Sequence, residues 1–327
     1  RYRRAVNEPA AASGWRPGAS THAVEARALL LSTIRTFMAE RDVLEVETPI
    51  LGSAGNSDPN IQSIATDEAV TRYLRTSPEY AMKRLLAAGH RDIYELGRVF
   101  RAGEQGQHHN PEFTLLEWYR SGMTYLDLAS EVLDLVRRCG AGAFDEWGAQ
   151  WVNYRDLFRR SIGLDPAHCS ETDLSNCAAE RGIRTGPLDQ AQWLDLLFAE
   201  VVQPALPGEH LTVVYDFLPE QAALARIRSG EEPVAERFEV FLGQMELANG
   251  YQELTDADEK LQRFEREVRL RKLRGEEASP IDMRLIGALR QGLPECSGVA
   301  LGVDRLLMSI LKLERIEAVL AFDLSRA

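Results

Sequence analysis

Apolar and polar positions alternate most clearly on either side of a polar, glycine-containing loop in the first third of the chain. Two runs of strand-forming residues, 92–101 and 112–120, flank this loop, which predicts an antiparallel hairpin. Because side chains alternate between faces, one face of the second strand should carry Phe113, Leu115, Glu117 and Tyr119. With Arg101 ending the first strand, such a face suits a nucleotide: the cation for a phosphate, the ring for a base. The alternative is an ordinary hairpin with a solvated outer face.

The residues before this hairpin predict two helices separated by short strands. Ser20 or Thr21 should cap a helix that runs to about residue 40. Its apolar stripe should contain Val24, Ala28, Leu31, Ile34 and Met38. The segment VLEVETPIL then predicts a short strand closed by Pro49, and two more strands are expected at 61–65 and 70–75.

The second helix is predicted to start in the segment TSPEYAMKRLLAAG. Ser77 is its expected N-cap, Pro78 suits the first turn, and Glu79 follows. In the simplest interpretation Glu79 only complements the helix dipole.

Residues 140–235 show mainly helical patterns, so this region is expected to be a helical insertion packed on the main sheet. Helices are predicted near 155–162, 172–181 and 190–202, and a strand at 211–217. No chemistry is assigned to this region.

Three glutamates in the segment ERFEVFLGQMELANGYQEL, residues 236–254, are spaced to meet across a meander. A turn at Leu242-Gly243 would set Glu239 opposite Glu246, and a turn at Asn249-Gly250 would set Glu246 opposite Glu253. Like charges opposed in a sheet are destabilising unless a cation lies between them, so this arrangement favours a divalent metal, an ammonium group or both. The alternative is a solvated face with a bulge at Asn-Gly, from which Glu253 could still reach the site along a continued strand.

Composition narrows the class of protein. Hydrophobic residues make up 45% of the 327 residues and charged residues 27%, which fits a globular protein. No apolar run approaches the roughly 20 residues of a membrane span. The four cysteines lack metal-ligand spacing, which favours a reducing cytoplasm. The net charge of −12, with no long basic block, argues against a broad nucleic-acid surface.

The loop and second strand of the hairpin, FRAGE followed by HNPEFTLLEWY, resemble motif 2 of the class II aminoacyl-tRNA synthetases in its lysyl-type version. The helix and strand before Pro49 resemble motif 1, and CSGVALGVDRLL at 296–307 resembles motif 3. The resemblance runs from about Thr21 onward. It implies an α+β fold with an antiparallel sheet flanked by helices, a catalytic domain at 21–327 after a flexible tail at 1–20, and a homodimer.

The resemblance also implies ATP and Mg²⁺ as cofactors and gives roles to individual residues. The residues expected to bind ATP are Arg101, Ala102, Gly103, Glu104, Asn110, Phe113, Glu246, Leu247, Gly302 and Arg305, of which Arg101 and Arg305 are the catalytic pair. Arg305 would stack on adenine opposite Phe113 or reach the γ-phosphate. The substrate site is expected to contain Ser77, Pro78, Glu79, Tyr119, Glu253 and Ala300. Glu239 and Glu246 occupy the metal-binding positions, and oxygen ligands beside a triphosphate suit Mg²⁺.

Two residues depart from the family pattern. Motif 2 usually reads FRxE, but Gly103 stands where the glutamate is expected and Glu104 follows it. Ala300 replaces a glycine that is usual in lysyl-tRNA synthetases. A methyl group there should shorten the pocket and favour a differently shaped lysine, such as β-lysine.

The acceptor is expected to be a protein. Only about twenty residues precede the motif 1 helix, which is too few for the anticodon-binding domain of lysyl-tRNA synthetases, so tRNA is not expected as a partner. Within the lysyl group the chain most resembles short paralogues that attach β-lysine to elongation factor P. A free-standing ligase making a small amide and a non-catalytic regulatory paralogue are the alternatives.

Overall fold

The structure is a computed structural model that describes residues 15–327; residues 1–14 of the expected tail lie outside the described part. The strands are β1 (Leu44–Glu45), β2 (Leu51–Gly52), β3 (Tyr73–Leu74), β4 (Ile93–Phe100), β5 (Glu112–Ser121), β6 (Gly148–Asn153), β7 (His210–Phe217), β8 (Ile227–Arg228), β9 (Val234–Leu242), β10 (Met245–Gln252) and β11 (Cys296–Gly302). The α-helices are α1 (Thr21–Ala39), α2 (Glu79–Ala87), α3 (Tyr125–Gly140), α4 (Tyr154–Ile162), α5 (Glu171–Glu180), α6 (Gln190–Leu197), α7 (Ala257–Leu273), α8 (Met283–Gln291) and α9 (Val303–Leu311).

One large sheet organises the chain. Its strand order is β1-β4-β5-β11-β10-β9-β7-β6, with β8 paired to β9, while β2 and β3 form a separate pair. Neighbours run antiparallel except at the β1–β4 and β6–β7 pairs. The α+β class with a mainly antiparallel sheet and flanking helices is therefore confirmed.

The two faces of the central strands have opposite character because side chains alternate along each strand. One face packs against α1, α3 and α9, and its fully buried side chains include Leu116, Trp118, Val240 and Leu301. Burying each of these side chains contributes about 2 kcal/mol. The opposite face carries Glu117 and Glu239, and it is there that the polar site is built.

The first helix begins as expected but buries a different stripe. The Ser20 side chain accepts from the backbone N–H of Ala23 at 3.2 Å, which confirms the cap. The buried positions are Ala23, Leu30, Ile34, Phe37 and Met38. Val24 is 44% exposed, so the predicted stripe was wrong at its start, because the contacts with α3 and α9 set which face is covered.

The second helix begins one residue later than the Ser77 cap predicted. Pro78 holds the cap position without a side-chain hydrogen bond, and α2 starts at Glu79. Ser77 Oγ still accepts from the Glu79 backbone N–H at 3.0 Å.

Residues 140–235 supply both helices and strands. Helices α4, α5 and α6 enclose a separate apolar cluster that contains Tyr154, Phe158 and Leu197. Strands β6 and β7 extend the large sheet at its far edge, so the region is built into the sheet as well as packed on it.

The predicted alignment of Glu239, Glu246 and Glu253 across a meander is wrong, because neither turn lies where the sequence placed it. The β9–β10 turn is at Gly243-Gln244, and a bulge between Glu246 and Ala248 shifts the register further. Glu239 therefore pairs with Asn249, and Glu246 with Phe241.

The Asn249-Gly250 pair lies inside β10. A side chain at Gly250 would meet the Phe238 ring at 2.5 Å and the Gly298 carbonyl oxygen at 2.7 Å. This glycine thus permits close packing instead of forming a turn. Glu253 follows the end of the continued strand, as the alternative interpretation required.

Candidate active site

The loop between β4 and β5, strands β5, β10 and β11, and the first turn of α9 bring most of the expected nucleotide-binding residues around one cavity of about 190 Å³. Its lining includes Arg101, Glu104, Asn110, Phe113, Glu246, Leu247, Gly302 and Arg305. Ala300 also lines this cavity, and its strand position alternates with the buried core residues Val299 and Leu301. The predicted ATP residues Ala102 and Gly103 do not line it.

The motif 2 loop holds its arginine between an acid and an aromatic ring. The Arg101 guanidinium lies 5.0 Å from the centre of the Phe113 ring, and its Nη1 lies 3.5 Å from Oε1 of Glu104. Gly103 has a φ of +78°, a conformation that favours glycine, and this turn brings Glu104 to the arginine. The acid that seemed displaced in the sequence is thus beside Arg101.

The first turn of α9 supplies the second arginine. Arg305 Nη1 donates to the Glu246 carbonyl oxygen at 3.0 Å, and Nη2 lies 2.6 Å from His109 Nε2. Burial, and next the charge of Arg305, lower the pKa of His109, which favours the neutral imidazole. Beside it, Asp304 accepts from the Thr114 backbone N–H at 2.7 Å and joins α9 to β5.

Glu239 and Glu246 are neighbours although they are not directly paired. Burial raises the pKa of the Glu239 carboxyl to about 7 against the pull of Arg237, and repulsion from Glu246 adds to the rise. Arg237 already contacts Glu239 at 2.5 Å. Among residues 15–327, no three His, Cys, Asp or Glu side chains form a metal-ligand cluster. Two carboxylates are nevertheless enough for Mg²⁺ that also takes water and phosphate oxygens, so these residues fit that ion.

A second cavity of about 190 Å³ lies at the start of α2 and is lined by Ser77, Pro78 and Glu79. Ser77 Oγ donates to Glu117 Oε2 at 2.6 Å, and the Tyr119 hydroxyl donates to Glu117 Oε1 at 2.7 Å. Burial, with repulsion from Glu79, raises the pKa of Glu117 to about 8 against these two hydrogen bonds. Glu117 is thus a carboxyl group that would gain from a cationic ligand.

Behind this cavity, Glu79 and Glu253 share a buried cluster with two lysines. Lys83 Nζ lies 2.5 Å from Glu79 Oε1 and 2.5 Å from Glu253 Oε2. Lys260 Nζ lies 3.8 Å from Glu79 Oε1. Although burial raises the pKa of Glu79, the charges of Lys83 and Lys260 outweigh it and hold that pKa below its ordinary value. Burial raises the pKa of Glu253 to about 7 against the pull of Lys83.

Several side chains at the site were not found from the sequence; they are Lys83, His109, Arg237, Asn249, Tyr251 and Lys260. Lys83 follows Glu79 by four residues on a helix, a spacing that is itself a signal for an ion pair. The sequence held no comparable signal for Lys260, because its neighbours come from distant segments.

Comparison with known proteins agrees with the motif residues found at this site. A family model described as tRNA synthetases class II (D, K and N) matches residues 14–326. The chain is 45% identical over 325 residues to the elongation factor P–(R)-beta-lysine ligase of Photorhabdus laumondii, with 96% of this chain and 99% of that relative covered. Ligases with the same name from Yersinia pestis and Yersinia pseudotuberculosis are 44% identical over equal shares. The resemblance drawn from the three motifs is confirmed, and the chain belongs to the class II tRNA synthetase family of the D, K and N group.

Proposed function

We propose that this protein uses ATP to activate a lysine isomer, with (R)-β-lysine preferred, and transfers it to a lysine side chain of elongation factor P. The observation that carries the proposal is a group of three carboxylates, the buried Glu117 and Glu253 and the partly exposed Glu79, beside a cavity lined by the two motif arginines. Carboxylates in that number suit a substrate with two ammonium groups. The names of the relatives agree with this chemistry.

The activation step uses both cavities, one for ATP and one for the amino acid. An oxygen of the amino acid carboxylate attacks the α-phosphorus of ATP, pyrophosphate leaves, and an aminoacyl-adenylate forms. Arg101 stabilises the charge that develops on the α-phosphate, and positioning of the two reactants supplies much of the rate. Phe113 and Arg305 offer surfaces for the adenine ring. Glu239 and Glu246 would hold Mg²⁺, which would neutralise charge on the β- and γ-phosphates.

The carboxylates and the phenol of Tyr119 would select the amino acid. Glu79, Tyr119 and Glu253 would receive the two ammonium groups, with Ser77 and Glu117 as neighbours. Aspartate carries a second carboxylate and would be repelled, which disfavours a ligase of the aspartate-amidating kind. The methyl group of Ala300 would limit the space for an α-amino acid.

The transfer step needs no nucleophile from this chain. The neutral amine of the acceptor lysine attacks the carbonyl carbon of the adenylate, AMP leaves, and an amide forms with release of one proton. The same proposal includes a homodimer in the cytoplasm and a reaction without tRNA. None of the helices in residues 15–327 has the length and apolar character needed to cross a bilayer.

The test is mass spectrometry of elongation factor P after incubation with this protein, ATP and each lysine isomer. We expect the mass to rise by one lysyl residue, faster with (R)-β-lysine, and an Arg101→Ala variant to give no product. Arg98→Ala is the matched control, because Arg98 lies on the same hairpin, is half-exposed and does not line the nucleotide cavity.

A non-catalytic paralogue is the competing function, and Gly103 is its only support. If ATP–pyrophosphate exchange is absent with lysine, β-lysine and aspartate, that alternative replaces the proposal. The contact between Glu104 and Arg101 argues against it.

A further inference from the structure

Two lysine amines lie behind the second cavity, beside carboxylates that are proposed to receive the ammonium groups of the substrate. Lys83 comes from α2 and Lys260 from α7, and each side chain is only 1% exposed. A buried amine is expensive unless it is paired, so each must either hold a counter-charge or give up its proton. The two lysines differ in how well they are paired.

Lys83 is held firmly as a cation. Its Nζ lies 2.5 Å from a carboxylate oxygen of both Glu79 and Glu253. Burial alone would lower the pKa of Lys83, but these two carboxylates outweigh it and raise that pKa above its ordinary value. Lys83 therefore stays charged over the whole working range of pH.

Lys260 is held loosely. Its Nζ has no hydrogen-bond partner among residues 15–327 and approaches Glu79 only to 3.8 Å. The charged or titratable groups that face it are Glu79 and Lys83 from α2, Glu253 after β10, and Glu267 from its own helix. Burial, and next the charge of Lys83, lower the pKa of Lys260 to about 7 against the pull of these acids.

The balance of charge in the pocket decides which form of Lys260 suits the substrate. When all groups are ionised, the carboxylates of Glu79, Glu117 and Glu253 face two ammonium groups, which leaves one net negative charge. With the substrate carboxylate directed to the ATP cavity, the two ammonium groups would then leave one excess positive charge among these groups. If Lys260 is neutral, the remaining two negative charges match the substrate, and an unpaired buried charge is avoided.

We propose that Lys260 is a positioning residue of the amino acid pocket that is neutral when the diammonium substrate is bound, so that binding releases its proton to solvent. This inference rests on the proposed function, because it takes a lysine isomer as the substrate. The neutral Lys260 amine then no longer competes with an ammonium group of the substrate for Glu79, which Lys83 still contacts.

The test is isothermal titration calorimetry of the full-length protein with β-lysine at pH 6 and pH 8, in buffers of different ionisation enthalpy. At pH 6, one unit below the pKa of about 7, Lys260 is about nine-tenths protonated. Lys260→Met removes this proton, so we expect the variant to release about one proton fewer and to bind about tenfold more tightly than wild type. At pH 8 the two proteins should bind nearly equally.

Two further variants separate this role from a structural one. Lys260→Arg keeps the charge and should bind at least tenfold more weakly at pH 8, where the wild-type lysine is neutral. Lys272→Met, exposed on the same helix, should match wild type at both pH values. If Lys260→Met does not fold, Lys260→Gln takes its place in the comparison.

The outcomes distinguish this inference from the proposed function. Glu117 and Glu253 can also release protons when an ammonium group binds, so only the difference between wild type and the Lys260 variant counts. If wild type binds β-lysine and the neutral variant releases as many protons at pH 6, the inference is wrong and the proposed function stands. If wild type binds neither lysine isomer, both are wrong.

Discussion

Replacing Lys83 with methionine should destabilise the fold by leaving two buried carboxylates without their shared cation. At 2.5 Å and an effective dielectric constant of about 20, each contact with Glu79 or Glu253 is worth about 7 kcal/mol of Coulomb energy. Desolvation of the ions offsets most of this, so the net value of the intact cluster is small. Breaking a buried pair costs about 3–5 kcal/mol. We expect about 3 kcal/mol at pH 8, because Lys260 can become charged once Lys83 no longer repels it.

The loss should depend on pH in a definite direction. In the folded wild type, Glu253 binds its proton up to a pKa of about 7, whereas in the unfolded chain it does so only up to the ordinary value of 4.5. The contribution of Glu253 to the free energy of unfolding therefore falls as the pH rises from about 4.5 to 7. Without Lys83 the pKa of folded Glu253 rises further, so this loss of stability continues to higher pH. The free energy of unfolding of the Lys83→Met variant should therefore be closest to that of wild type near pH 5.

The measurement is urea unfolding of wild type, Lys83→Met, Glu253→Gln and the double variant at pH 5.5 and pH 8, with exposed Lys272→Met as the control. The double variant should recover about 1–2 kcal/mol relative to the sum of the single changes, because it no longer buries an unpaired Glu253 charge. A loss below 1 kcal/mol at pH 8, or additive single effects, would contradict the ion-pair geometry.

Three other changes test the remaining parts of the site. Arg101→Ala should lower ATP–pyrophosphate exchange by about 100-fold or more, since a charge-stabilising donor is removed; an effect below tenfold would refute its role. Ala300→Gly should shift the exchange reaction toward α-lysine, and an unchanged preference would refute the pocket-length argument. Gly250→Ala should cost about 1–3 kcal/mol in thermal or urea unfolding, because the new methyl group meets Phe238 and a backbone carbonyl. A neutral result would mean that β10 is not packed this closely.

Features governed by neighbouring residues in the chain were predictable. The β4–β5 hairpin followed from alternation, and the start of α1 followed from a serine that accepts from the helix N-terminus. Arg101 and Phe113, which strand alternation predicted on one face, and Arg305, which the motif 3 resemblance implied, line the same cavity.

Features governed by tertiary contact were not predictable from the sequence. Asn249-Gly250 has the composition of a tight turn, but the space available beside Phe238 is what the glycine serves. This misassignment, the displaced β9–β10 turn and the bulge after Glu246 together explain why the predicted alignment of the three glutamates was wrong. The pairing of Lys260 with α2 is equally invisible in the sequence, since it depends on how α7 and α8 pack beside the sheet.

The internal lysines give a physical reason why carboxylates that are proposed to bind cations can be held together before a cation arrives. Buried carboxylates at Glu79 and Glu253 would repel each other in an empty site, and Lys83 removes that repulsion permanently. A second cation held as firmly would compete with the substrate. Among residues 15–327, Lys260 pairs with one carboxylate, at 3.8 Å, so it can stabilise the empty site when charged and no longer contributes a charge there when neutral. The difference between 2.5 Å and 3.8 Å thus separates a permanent counter-charge from an exchangeable one.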